Sequence, residues 1–88
     1  MERFATFRFQ LTCRLPDDSP DRAALAKAFE ASGARLIDGC PVPPGQVLIE
    51  FRQAAGDSSQ ALVEALRILR RQLPGAEVVA SSAVVPAR

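Results

Sequence analysis

RFATFRFQLTCRL, residues 3–15, is the stretch of sequence that decides the fold. From residue 5 onward, apolar side chains alternate with arginine, threonine and glutamine. Successive side chains of a β-strand point to opposite faces of the sheet, so this period of two predicts a strand with one buried and one exposed face. The buried set is Ala5, Phe7, Phe9, Leu11, Cys13 and Leu15, and the exposed set is Thr6, Arg8, Gln10, Thr12 and Arg14.

A helix is predicted over residues 20–32, after a turn at residues 16–18. Ser19 suits the cap position, because its hydroxyl can accept a hydrogen bond from an otherwise unpaired amide, and Pro20 suits the first helical position. Gly33 suits the left-handed conformation that ends many helices. The first strand is therefore followed directly by a helix.

The rest of the chain predicts three further strands and a second helix. The strands are residues 34–37, 46–52 and 77–85. Three prolines stiffen the loop at residues 38–45. The second helix is predicted to begin after a cap at Asp57 or Ser58 and to end at Leu73, before a Pro-Gly pair. Residues 86–88 are expected to fray.

This order of elements predicts an α+β fold, namely a ferredoxin-like βαββαβ sandwich in one domain spanning residues 1–88. Right-handed crossovers would place both helices on one face of a four-stranded antiparallel sheet. The strands that begin at residues 3 and 46 would be central, and the other two would be edges. A chain of 88 residues supports one thin core.

Composition narrows the function classes. The formal net charge of +1 disfavours a nucleic-acid binder driven by bulk charge. No apolar run approaches the length of a membrane span, and no secretory signal is evident, so we expect a cytoplasmic protein with no membrane partner. The chain has no histidine, which removes the commonest general base and metal ligand. We expect no enzyme, no metal and no cofactor.

For the reactive residue types we favour a structural role over a chemical one. Lys27 is predicted to lie on a solvated helix face. Cys13 is predicted to be a small buried hydrophobe. Cys40 lies in the proline-rich loop, where a reactive thiol is conceivable, but no CxxC spacing accompanies either cysteine.

Two clusters of charged residues lie near the predicted helices, one acidic and one basic. For the acidic residues at the start of the first helix, we favour a role in the turn and in interaction with the helix dipole over a metal site. For the arginines near the end of the second helix, we favour interaction with the helix dipole and a Glu64–Arg67 ion pair over a site that binds an anion or RNA. The acidic cluster is Asp17, Asp18 and Asp21, and the basic cluster is Arg67, Arg70 and Arg71.

The sheet face left without a helix is the predicted interaction surface. Its candidate residues are Arg8, Arg14, Glu50 and Arg52. The bland interpretation is a cross-strand pair of Arg8 or Arg14 with Glu50. RNA recognition on a sheet needs aromatic side chains on the exposed face, on which bases stack. The phenylalanines of the predicted strands alternate with that face and point toward the core instead. We therefore favour a solvated or self-associating face over an RNA-binding one.

Two family resemblances follow from these motifs. Leu-Pro-Asp-Asp at residues 15–18, the helix up to Gly33 and the strand at residues 34–37 resemble the opening of an ACT-type regulatory domain. Ser19-Pro20-Asp21 stands where those domains usually carry Pro-Gly. The resemblance implies amino-acid binding at the first strand–helix turn, by Asp18, Ser19 and Asp21, and dimerisation.

The second resemblance covers nearly the whole chain. Pro-Gly before a strand, Ile-Glu-Phe-Arg-Gln-Ala at residues 49–54 and Leu-Pro-Gly-Ala at residues 73–76 resemble small uncharacterised bacterial proteins of about this length. The resemblance implies the same ferredoxin-like fold and supplies no catalytic residue.

The leading hypothesis is a non-enzymatic binding or regulatory module that self-associates as a homodimer. A protein partner is also compatible with exposed strand edges. One alternative is an ACT-like sensor of a small molecule, with the turn at residues 16–21 as its site. Another is an RNA-binding module that uses Arg8, Arg14 and Arg52, with the cluster Arg67, Arg70 and Arg71 as a further candidate contact. An acylphosphatase-like enzyme is disfavoured, because the glycine-rich anion loop after the first strand is absent.

Overall fold

The computed structural model describes residues 5–39 and 41–86 and shows an α+β protein with two helices and an open antiparallel sheet. The strands are β1 (Ala5–Arg14), β2 (Ala34–Leu36), β3 (Gln46–Ala55), β4 (Glu77–Ser81) and β5 (Val85–Pro86). The helices are α1 (Arg22–Glu30) and α2 (Ser58–Gln72).

The two long strands β1 and β3 form the centre of the sheet. The strand order is β2-β3-β1-β4, and β5 pairs with β1 beyond the end of β4. Every pairing is antiparallel, and Phe9 lies opposite Phe51 in the central pair. β1 and β3 thus lie inside the sheet, with β2 and β4 at its edges.

Several strand ends differ from prediction; β1 ends at Arg14 and β2 at Leu36, each one residue earlier than expected. The predicted start at residue 3 lies outside the described residues. β3 continues to Ala55 because it pairs with β1 along its whole length, as far as Ala5. The single last strand predicted over residues 77–85 is wrong, since it divides into β4 and β5; Pro86, expected to fray, belongs to β5.

The break between β4 and β5 begins at Ser82, which is hydrogen-bonded to Gln10 of β1. The Gln10 amide donates to the Ser82 hydroxyl (2.8 Å), and the Ser82 amide donates to the Gln10 carbonyl (2.9 Å). A backbone donor of β1 is therefore satisfied by a side chain, which interrupts the ladder.

Helix α1 is shorter than predicted because a different residue caps it. Asp21 accepts a hydrogen bond from the Ala24 amide (2.8 Å), so Asp21 and not Ser19 is the N-cap. The helix begins at Arg22 and ends at Glu30. Gly33 has a φ of 82°, as predicted for the left-handed turn after the helix.

Helix α2 has the predicted start. Asp57 is the N-cap and accepts from the Gln60 amide (2.8 Å). The Gln60 side chain in turn accepts from the Gly56 amide (2.7 Å). This reciprocal arrangement resembles a capping box and satisfies two amides.

One core cluster joins the sheet and both helices. Phe51 is fully buried, stacks on Phe9 at a centroid distance of 5.7 Å and meets Phe29 of α1 edge-on at 6.3 Å. From α2, Ala61, Ala65 and Leu69 are buried in the same cluster. The odd-numbered residues of β1 from Phe7 to Cys13 are buried with them, as the alternation predicts, whereas Ala5 at the start of the strand is exposed.

Candidate functional site

The even-numbered side chains of β1 and β3 form the second face of the sheet, called here the open face. None of these residues is buried. They are Thr6, Arg8, Gln10, Thr12 and Arg14 from β1, and Gln46, Leu48, Glu50, Arg52 and Ala54 from β3. The open face is therefore a continuous surface on the two central strands that none of its own residues buries.

The predicted pairing of Arg8 or Arg14 with Glu50 is wrong. Arg14 donates from Nη1 to Oε1 of Glu77 on β4 (2.6 Å), and Glu50 pairs with Arg35 on β2 (3.3 Å). The register explains both partners, because Glu77 lies opposite Arg14 and Glu50 lies opposite Arg35.

Arg8 and Arg52 lie opposite each other across the central strand pair. Both are exposed, and neither forms an ion pair with any described residue. Like charges directly opposite on neighbouring strands destabilise the pairing. The fold thus places two cations side by side with no carboxylate partner in the described chain.

Two shallow depressions lie on the open face, and Glu50 lines both. One, of about 400 Å³, is lined by Arg8, Phe9, Gln10, Glu50, Ser82, Ala83 and Val85. The other, of about 240 Å³, is lined by Gly33, Ala34, Arg35, Glu50 and Arg52. Arg8 and Arg52 therefore border adjacent hollows that share one side chain.

The turn between β1 and α1, with the predicted residues Asp18, Ser19 and Asp21, borders a third hollow of about 250 Å³. Asp18 and Ser19 line it together with Gln72 and Leu73 at the end of α2. Asp21 is not among its lining residues; its carboxylate caps α1. The structure therefore brings two of the three predicted ligand-binding residues together.

Cys13 is a buried thiol in the described chain. It is 0% exposed, and burial raises the pKa of its thiol to about 11. A thiol that stays protonated at neutral pH is a poor nucleophile, so the predicted role as a small hydrophobe fits. Cys40 lies outside the described residues.

The remaining charged candidates lie on the two helices. Arg67 pairs with Glu64 at 3.0 Å, three residues apart on α2. Arg70 and Arg71 lie in the last turn of that helix, where cations favour the helix dipole. Lys27 is exposed on α1.

Sequence reasoning missed an ion pair that ties α1 to the chain after β2. Arg22 donates to Asp38 at 2.5 Å and to the Ile37 carbonyl at 3.2 Å. No local spacing signals this contact, because its partners lie 16 residues apart.

The exposure of β4 was also missed. All five of its residues are exposed, including Val78 (38%) and Val79 (39%). Val79 is an extra residue, since the partners of Thr12 and Cys13 on β1 are Ala80 and Val78. Val85 of β5 is 42% exposed along the same side of β1.

Residues 5–39 and 41–86 hold neither a cluster of metal-ligating side chains nor a membrane-spanning helix. They contain no group of three or more histidine, cysteine, aspartate or glutamate residues that could hold a metal ion. No helix among them combines the length and apolar character needed to span a bilayer.

Comparison of the chain with protein-family models, with curated proteins and with solved structures gives no match.

Proposed function

We propose that this chain is a non-enzymatic binding and regulatory module that pairs with a second copy of itself through the edge strand β4. The observation that carries the proposal is the exposure of β4, whose valines Val78 and Val79 are more than a third exposed. Among the described residues, β4 pairs only with β1, so one side of its backbone has no partner strand. Unpaired strand edges favour pairing with another chain.

The two edges of the sheet differ in the features that prevent such pairing. β2 has three residues, carries Arg35 and is followed by prolines at positions 41, 43 and 44. Short length, charge and proline all discourage strand addition. β4 has five residues and no proline or lysine, and its one charged residue, Glu77, is paired with Arg14. β4 is therefore the edge that is open to a partner.

A second copy suits this edge because two-fold pairing creates no repulsion. Antiparallel pairing about Val79 sets Glu77 opposite Ser81 of the second copy, and Val78 opposite Ala80. No charged residue then faces its own equivalent, a pairing that would be destabilising. Two-fold dimers are also the commonest assemblies of soluble proteins.

The dimer should be weak. Five strand residues extend only ~17 Å, and the resulting contact falls well below the ~1,600 Å² of a standard stable interface. The bulge at Val79 also increases the local twist, which restricts the length of edge that can pair. We therefore expect an equilibrium between monomer and dimer that changes with concentration.

Sedimentation velocity over a wide concentration range tests the proposal. The wild-type chain should shift from monomer toward dimer as concentration rises. Val79→Lys should remain monomeric, because a lysine on an edge strand opposes pairing. The matched control is Val63→Lys on α2, where the native valine is 48% exposed. It should dimerise like the wild type.

Both variants replace exposed valines, so each should unfold within ~0.5 kcal/mol of the wild type. A strict monomer at the highest concentration would refute the proposal. Equal dimerisation of Val79→Lys and the wild type would place the interface elsewhere.

We also assign the chain to the ferredoxin-like class. The order β2-β3-β1-β4, with one helix between β1 and β2 and another between β3 and β4, supports this assignment. The central place of β1 and β3 is the feature that this topology requires.

A second candidate function is an ACT-like sensor of amino acids. It is favoured by the hollow of about 250 Å³ that Asp18 and Ser19 line. A ligand bound there should raise the unfolding midpoint of the wild type and not of Asp18→Asn/Ser19→Ala. Equal shifts in both proteins would eliminate this site.

A further inference from the structure

We infer that the open face carries a binding site for the phosphate group of a small phosphorylated molecule, with Arg8 and Arg52 as its anchors. This inference concerns a different surface from the β4 edge. It names a ligand class that the proposed regulatory module would respond to.

The first observation is the direct opposition of two arginines. Arg8 and Arg52 are partners in the register of β1 and β3, and both side chains belong to the open face. Side chains so placed have Cβ atoms about 4.5–5.5 Å apart. Their mutual repulsion is relieved when an anion lies between them.

The second observation is the local charge balance. Arg35 and Glu50 form a pair at 3.3 Å, and the Glu50 side chain is only 12% exposed. Its carboxylate is therefore engaged by Arg35 on the far side from β1. Arg8 and Arg52 remain as a surplus of two positive charges, which suits the charge of a phosphate monoester.

Guanidinium groups suit this role. Arginine stays charged at every relevant pH and offers a planar set of donors that matches phosphate oxygens in pairs. Two such groups can bind different oxygens of one phosphate. The paired strands hold the Cα atoms of the two arginines at a fixed spacing, so no backbone ordering is needed to bring them together on binding.

The hollow beside Arg8 fits the remainder of a small ligand. Its volume of about 400 Å³ lies within the range of small-molecule sites. Gln10 and Ser82 contribute polar groups, and Val85 contributes an apolar wall. A phosphate at the arginines would leave the organic part of the ligand against these residues.

Nucleic acid fits the same surface less well. Single-stranded binding needs aromatic side chains on which bases stack. The side chains of the three phenylalanines of the central strands, Phe7, Phe9 and Phe51, are buried in the core, so none offers a stacking platform. A single pair of arginines also offers too few phosphate contacts for strong backbone binding.

The test is an NMR titration of the full chain with inorganic phosphate, against sodium chloride at equal ionic strength. The amide signals of Arg8, Gln10 and Arg52 should shift and saturate in the wild type. Arg8→Gln and Arg52→Gln should each weaken phosphate binding at least ~10-fold, since each removes charge-assisted hydrogen bonds.

Arg14→Gln is the matched control. It lies on the same strand and face, and its native partner is Glu77. It should bind phosphate within about twofold of the wild type, because an exposed ion pair contributes little. Arg8→Lys keeps the charge without the paired donors and should give intermediate affinity.

The ligand class is tested by the same titration with a sugar phosphate and with single-stranded RNA. The sugar phosphate should bind more tightly than inorganic phosphate and shift the amides of Ser82 and Val85 as well. RNA should bind no more tightly per phosphate than the inorganic ion.

Three results would overturn the inference. One is the absence of a saturable phosphate-specific shift in the wild type. Another is equal phosphate affinity in Arg8→Gln, Arg52→Gln and the control. The third is RNA binding that is much tighter and falls steeply with salt, which would replace the small ligand by nucleic acid. Loss of dimerisation in Val79→Lys would leave all three readouts unchanged, so this test is independent of the β4 proposal.

Discussion

Replacing Phe51 by leucine tests the aromatic core on which both faces of the sheet depend. Phe51 is 0% exposed, stacks on Phe9 with an interplanar angle of 15° and meets Phe29 at 89°. Each such aromatic pair contributes about 0.5–1.5 kcal/mol beyond its buried area. Leucine keeps most of the buried apolar surface, so the two lost pairs predict a destabilisation of about 1–3 kcal/mol.

Urea unfolding followed by circular dichroism measures this change. With a slope of about 1 kcal/mol per molar for a chain of this size, the midpoint should fall by about 1–3 M. Val63→Ala, at an exposed apolar position on α2, is the control and should change the free energy of unfolding by less than ~0.5 kcal/mol. A shift for Phe51→Leu as small as that of the control would refute the packed aromatic core.

Three further outcomes are expected in urea unfolding. Asp21→Ala removes the acceptor for the Ala24 amide and should cost about 1 kcal/mol, while Asp21→Asn retains a cap. Burial raises the pKa of the Cys13 thiol from 9.0 to about 11 in the folded protein. Between these two pH values the thiol ionises in the unfolded chain but stays protonated in the folded one. Stability should therefore fall between pH 9.0 and 11, and less so in Cys13→Ala. Glu77→Gln breaks an exposed pair with Arg14 and should cost less than ~0.5 kcal/mol.

Which side chains of each central strand face the core was predictable, because successive side chains of a strand point to opposite faces of the sheet. Phe9 and Leu11 of β1, and Ile49 and Phe51 of β3, all lie where the period of two places them. Core burial selects one parity strongly, since a shift of one residue would expose every apolar side chain.

The partners across the strands were not predictable, because alternation does not fix the register. Glu50 was expected to pair with an arginine of β1, but the register sets it opposite Gln10 on that side and opposite Arg35 on the other. The same register sets Arg8 against Arg52. The candidate anion site therefore emerges only when the strands are aligned.

The start of α1 was mispredicted because two good capping residues lie two positions apart. Serine and aspartate side chains can both accept hydrogen bonds from helix amides, so local preference does not separate Ser19 from Asp21 as the cap. Arg22, the first residue of the helix, also binds Asp38, a contact far away in sequence that no local pattern reveals.

The exposure of β4 depends on tertiary placement. Its valines suit a buried strand in isolation, and only the assembled sheet leaves them uncovered. This exposure adds to the greater length and the lack of proline that distinguish the β4 edge from the β2 edge.

Amide hydrogen exchange as a function of protein concentration tests self-association through β4 most directly. Amides of Glu77–Ser81 should exchange more slowly as concentration rises, because strand pairing protects them, while those of Ala34–Leu36 on the opposite edge should exchange at a constant rate. Exchange in Glu77–Ser81 that is the same at every concentration would contradict the proposed interface.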